Sequence, residues 1–108
     1  MPVENSAVYP LVSVIIRSMD RPTLAEAIDS VAAQTYPNIE VVIVNAKGRN
    51  HSALNTECGN HPIRIAGNQE SMNRCQAANI GLHAARGDYL IFLDDDDWFL
   101  PHHIEKLQ

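Results

Sequence analysis

A chain of 108 residues has room for one domain and can bury about two thirds of its unfolded surface. Its 45% hydrophobic and 19% charged residues are ordinary globular composition, and its net charge of −5 falls to −1 once a run of four aspartates is set aside. That balance speaks against a basic nucleic-acid face and a basic amphipathic membrane helix.

Residues 1–10 read as a polar, loose leader. "LVSVII" at 11–16 is a continuous β-branched run, as in a strand buried on both faces. It is too short for a transmembrane helix and lacks the flanks of a signal peptide, so a cytoplasmic location is expected. After the loop "RSMDR", residues 22–34 place Leu24, Ala27, Ile28, Val31 and Ala32 on one helical face, with Pro22 in the first turn. "IEVVIV" at 39–44 is a second buried strand. The polar stretch 45–62 has room for a short helix around 52–57, and "IRIA" at 63–66 is a short third strand. Ser71 is the expected N-cap of a helix at 72–85, with Met72, Cys75, Ala78, Asn79 and Leu82 near its inner face. "YLIFL" at 89–93 is the fourth strand, and Pro101 stands near the start of a last helix that ends at Gln108.

Continuous apolar strands alternating with helices imply an α/β fold with a parallel sheet covered on both faces. Cys58 and Cys75 lack metal-site or redox spacing and read as free thiols. The sequon-like Asn50-His51-Ser52 and the adhesion-like Arg86-Gly87-Asp88 are three-residue matches and carry no weight.

In an open α/β sheet, ligands bind outside the carboxyl ends of the strands. Each strand here is followed by a polar segment, and a parallel sheet gathers them on one edge. That edge holds Asp20, Arg21, Asn45, His51, Arg74, Asn79 and the run Asp94–Asp97. Two carboxylates about 4 Å apart repel by roughly 4 kcal/mol at an effective dielectric of about 20. Four in a row need an offsetting cation or hydrogen-bond donors. Mg²⁺ and Mn²⁺ take oxygen ligands and share them with substrate phosphates, so the run suits a metal-diphosphate site. The plain alternative is a solvated acidic loop. Trp98 and Phe99, just after the run, are expected to turn the chain and cover the floor of the site. A GxGxxG or GxxxxGK[ST] phosphate loop is absent. The first strand lacks the glycine-rich signature of a nucleotidyltransferase, and aspartyl-phosphate phosphatases carry their acids after the first strand.

With these segments in order, "VSVIIRSMDRPTLAEAIDSVAAQTYPNIEVVIV" and "AANIGLHAARGDYLIFLDDDDWFLP", the chain resembles the N-terminal half of a family 2 glycosyltransferase with the Rossmann-like GT-A fold, over residues 11–108. The resemblance implies strand order 3-2-1-4, a nucleotide-sugar donor, a divalent Mn²⁺ or Mg²⁺ ion, and inverting sugar transfer to an unknown acceptor, be it saccharide, lipid or protein. It places the DxD motif at Asp94-x-Asp96, with Asp94 toward the ribose or metal and Asp96 on the metal. Asp95 and Asp97 remain alternatives. It puts Ser18, Asp20 and Arg21 in the first nucleotide loop, Asn45 after the second strand, and Arg74 and Asn79 on the helix flanking the base and diphosphate. His51, in the loop after Asn45, is a candidate nucleotide contact read from the residues and not from the family pattern, its plain alternative being an exposed loop histidine.

The chain also departs from the family pattern. Arg17 stands for a proline, and Met19 for a frequent aromatic. "VNAKG" replaces V-D-D-G-S, so Asn45 stands where the family's base-reading aspartate does, which puts the uracil preference in doubt. An amide still offers a base edge one donor and one acceptor. His102 and His103 read as surface residues at a helix start. No residue recommends itself as the base of an inverting transfer. The resemblance implies that this base lies beyond Gln108. The chain therefore reads as the donor-binding part of a longer enzyme, inactive alone; a non-catalytic binding module of the same fold is the alternative. Strand 89–93 would then be an exposed edge that recruits a second copy.

Overall fold

The computed structural model describes residues 9–52, 58–67, 70–96, 98–99 and 103–104. β1 (Val12–Ser18) and β2 (Ile39–Asn45) are apolar on both faces and form the centre of the sheet, buried along nearly their whole length. β3 (Ile63–Ala66) pairs with β2, and β4 (Tyr89–Asp94) with β1, all parallel. The order is β3-β2-β1-β4, as the family resemblance implies. β1 and β4 run two and one residues past their expected ends, carrying Arg17, Ser18 and Asp94 to the sheet's carboxyl edge.

One face carries α1 (Leu24–Ala32), whose Ala27, Ile28 and Val31 pack on Val12, Val14, Ile16, Val41 and Ile43. Pro22 and Thr23 form a turn before this helix. Phe99 and Ile104 join the same core, and the Phe99 ring stacks on His103 at 4.6 Å. Trp98, in contrast, is 62% exposed.

The other face carries α2 (Arg74–Ala84). The expected start and inner face of this helix are corrected. Asn73, and not Ser71, is the N-cap: its side chain accepts from the Gln76 amide while the Gln76 side chain accepts from the Asn73 amide. Starting the helix there turns Ala77 and Gly81 inward and leaves Cys75, Asn79 and Leu82 exposed. A Cβ on Gly81 would collide with Ile15 Cγ2, so glycine is what lets the helix approach the sheet. Met72 is buried just before the helix, its amide donating to the Ala46 carbonyl. Both cysteines are free thiols; Cys58 is buried, which pushes its pKa up to about 11.

At the amino end of the sheet, Glu40 is buried and accepts from the Ser13 hydroxyl, the Arg86 amide and Arg64 Nη2 at 2.5, 2.6 and 2.9 Å. Gly87 N–H donates to Ser13 Oγ and Asp88 N–H to Leu11 O. Arg86-Gly87-Asp88 is thus a turn tied into the sheet by its backbone. The short helix expected near 52–57 and most of the last helix, through Gln108, fall outside the described residues, as do Asp97 and His102.

Candidate functional site

The carboxyl edge brings together the β1–α1 loop, the loop after β2, the end of β4 and the start of α2. The acidic run alternates. Asp95 is fully buried: its Oδ2 accepts from the Met19 amide at 2.6 Å, and its carbonyl accepts from Thr23 Oγ1. Asp94 and Asp96 turn outward, with side chains 32% and 51% exposed.

Three arginines meet these acids. Arg17 Nε lies 3.5 Å and Arg74 Nη2 3.6 Å from Asp94, and Arg21 Nη1 lies 2.8 Å from Asp96. Arg21 Nη1 is also 3.6 Å from Asp95 Oδ1, a buried oxygen that accepts no hydrogen bond. Arg17 Nε is buried without a hydrogen-bond partner too. The cations offset the repulsion among Asp94, Asp95 and Asp96. Arg17 is a residue that the sequence shows only as a departure. Its signal is register: Arg17 and Asp94 are partners across the β1–β4 ladder, opposite charges side by side.

Between α2 and β4 lies a cavity of about 300 Å³ lined by Ile15, Ala77, Ala78, Phe92 and Leu93, with Arg17, Arg74 and Asp94 at its polar end. Asn79 does not line it. It lies five residues along α2 from Arg74, about 7.5 Å down the helix and away from the edge.

The second group of residues joins two loops. Asp20 has φ +61, in the left-handed region. Its Oδ2 accepts from the Ser52 amide at 3.0 Å, from Ser52 Oγ at 2.9 Å and from Lys47 Nζ at 3.3 Å. The Ser52 amide and hydroxyl, with Lys47 and His51 behind them, hold the Asp20 carboxyl below the usual carboxylate range. The His51 ring, 2% exposed, places Nε2 2.6 Å from Ser18 Oγ and Nδ1 2.7 Å from the Ser52 carbonyl. Ser18 is fully buried, and its hydroxyl serves the loop junction.

Asn45 is turned onto its own loop. Its Oδ1 accepts from the Lys47 and Gly48 amides, and its Nδ2 donates to the Gly48 carbonyl. This is an Asx-type turn, and it occupies both ends of the amide.

Chemically, the described residues offer the outward carboxylates of Asp94 and Asp96, the guanidinium groups of Arg17, Arg21 and Arg74 that meet them, and an adjoining apolar cavity. Mg²⁺ or Mn²⁺ takes one or two carboxylates from a protein when a diphosphate supplies further oxygens. Asp94 and Asp96 match that requirement. Among the described residues, no group of three metal-ligating side chains is assembled. At this edge Asp20, Asp94, Asp95 and Asp96 are each engaged by a cation or a backbone amide.

Residues 13–108 match the model of glycosyl transferase family 2. The chain is 33% identical over 97 residues to the glycosyltransferase YwdF of Bacillus subtilis (strain 168), covering 89% of this chain and 36% of YwdF. It is 31% identical over 98 residues to a glycosyltransferase of Haemophilus influenzae, covering 90% of this chain and 33% of that protein. In structure it resembles S. aureus TarS 1-349 in complex with UDP-GlcNAc, with a TM-score of 0.70, 20% identity, and coverage of 90% of this chain and 30% of TarS. The chain therefore spans about a third of the length of these two relatives. Ordered strands, edge-gathered loops and matched sequence agree: the chain belongs to glycosyl transferase family 2.

Proposed function

We propose that this chain is the donor-binding part of an inverting, metal-dependent glycosyltransferase and holds a nucleoside-diphosphate sugar at the carboxyl edge of its sheet. The observation that carries the reading is the alternation at the end of β4: Asp95 turned inward as a structural pin, Asp94 and Asp96 turned outward. That is the arrangement a D-x-D pair requires. The fold likeness to TarS, whose complex contains UDP-GlcNAc, supports a nucleotide sugar as the donor class.

On this reading Asp94 and Asp96 hold Mn²⁺ or Mg²⁺, which when bound neutralises the diphosphate leaving group. Arg17, Arg21 and Arg74 release their carboxylate partners and turn toward phosphate oxygens, for which planar guanidinium groups are suited. Asp20 and the loop after β2 wall the nucleoside side. The base that deprotonates the acceptor belongs, on the same reading, to a part of the enzyme beyond Gln108, so these 108 residues bind donor without transferring it. The reading also places the protein in the cytoplasm and associates two copies through β4, whose Tyr89, Leu90 and Phe92 are 52%, 40% and 53% exposed.

Asn45 favours a second reading, a binding module without catalysis, because the amide at the family's base-reading position is spent on its own loop. Calorimetric titration of the chain with UDP, with and without Mn²⁺, tests the first reading. Metal-dependent binding supports it, and no binding in either condition refutes it. Sugar release from UDP-GlcNAc by the longer protein separates enzyme from module.

A further inference from the structure

Asp20 adopts φ +61, a conformation uncommon for a residue with a side chain. Such a conformation persists where its surroundings over-determine it, and it clusters at functional sites. The surroundings here come from one loop: Ser52 reaches the Asp20 carboxylate twice, and Lys47 once. His51 lies beneath them, its ring almost fully enclosed, with Nδ1 3.7 Å from Asp20 Oδ1.

The hydrogen bonds settle the ring's tautomer. The Ser52 carbonyl can only accept, so Nδ1 carries a proton. In the neutral ring Nε2 is then an acceptor, and the Ser18 hydroxyl donates to it. Ser18 Oγ in turn accepts from the Asp20 amide at 3.3 Å. His51 thus holds both sides of the residue in the left-handed conformation: Ser18, which takes its amide, and Ser52, which takes its carboxylate.

The two neighbours of Asp20 hold the acidic run. The Met19 amide donates to Asp95, and Arg21 pairs with Asp96. If residue 20 relaxed to an ordinary backbone angle, the Met19 amide and the Arg21 side chain would be redirected together. We propose that His51 is a positioning residue: through Ser18, Ser52 and the left-handed Asp20 it sets the geometry in which Met19 and Arg21 hold Asp95 and Asp96, without itself touching the donor. This rests on the donor-site reading for its functional consequence, and on the loop geometry for its structural one.

The two parts are tested separately. Amide hydrogen exchange at Met19 is measured in the wild type, His51→Ala, His51→Gln and Ser18→Ala, alongside nitrogen NMR of the His51 ring. The expected result is protection at Met19 that falls at least about tenfold in His51→Ala and Ser18→Ala and returns in His51→Gln, whose amide supplies one donor and one acceptor. The ring spectrum of the wild type shows Nδ1 protonated and Nε2 accepting. Affinity for UDP with Mn²⁺ falls about tenfold in His51→Ala while its far-UV spectrum is unchanged. Met19 protection unchanged in folded His51→Ala or Ser18→Ala overturns the proposal, as does a neutral ring protonated on Nε2. Should His51→Ala fail to fold, Ser18→Ala and the wild-type ring spectrum decide. A wild type that binds no UDP refutes the donor-site reading instead, and the Met19 exchange still decides the role of His51.

Discussion

The Met19 amide donates a 2.6 Å hydrogen bond to Asp95 Oδ2, joining the ends of neighbouring strands across 76 positions of sequence. This contact sorts the acidic run. It turns one carboxylate into the protein and leaves those on either side facing outward. Replacing Asp95 by alanine removes a charged acceptor and strands the Met19 amide. A loss of about 1.5–3 kcal/mol in urea denaturation is expected, with Asp95→Asn recovering part of it. Asp96→Ala removes only an exposed ion pair with Arg21 and costs less than about 1 kcal/mol.

A second prediction concerns Gly87. A Cβ there would lie 2.5 Å from Ser13 Oγ, 2.8 Å from Ser13 N and 2.9 Å from Leu11 O. Two of these are backbone atoms of a central strand and its lead-in, which cannot swing aside. Gly87→Ala therefore destabilises by about 1–3 kcal/mol in thermal or urea unfolding. Gly81→Ala costs less, since a better helix residue offsets part of its overlap with the Ile15 side chain.

The centre of the fold is legible in the sequence because β1 and β2 are apolar on both faces, a pattern with one comfortable solution in a parallel sheet. The edge site follows from topology alone. Less legible is anything decided by a single side chain's direction. The start of α2 depends on a capping box between Asn73 and Gln76 that competes with Ser71 for the same role. Asp94, Asp95 and Asp96 are chemically identical in sequence, and their contacts tell them apart: Met19 holds Asp95, Arg17 and Arg74 face Asp94, and Arg21 pairs with Asp96. Trp98 does not cover the site's floor along with Phe99, as their adjacency suggests. Phe99 enters the core beside α1, where its ring stacks on His103, and Trp98 faces solvent.

Acid sensitivity should come from Glu40. Burial raises its pKa, but the Ser13 hydroxyl, the Arg86 amide and the Arg64 guanidinium outweigh burial and bring it below the usual value of 4.5. A carboxyl whose folded pKa is depressed contributes stability that is present above 4.5 and lost as pH falls below it. Unfolding free energy measured across that range should drop in the wild type. The drop should be shallower in Glu40→Gln, which starts less stable at neutral pH.

Self-association through β4 is expected from its exposed edge. Light scattering should show a concentration-dependent dimer of the 108-residue chain, and Tyr89→Lys with Leu90→Lys should return it to a monomer. A wild type that stays monomeric at high concentration removes this part of the account.

The central claim is that Asp94 and Asp96 present a metal to a nucleoside diphosphate. It is tested most directly by the ratio of UDP affinity in Mn²⁺ to UDP affinity in EDTA, compared between the wild type and Asp96→Ala. The account predicts a ratio of about tenfold or more in the wild type, collapsing toward one in Asp96→Ala while the fold is retained. Equal affinity with and without metal in the wild type, or a ratio that survives Asp96→Ala, would contradict it.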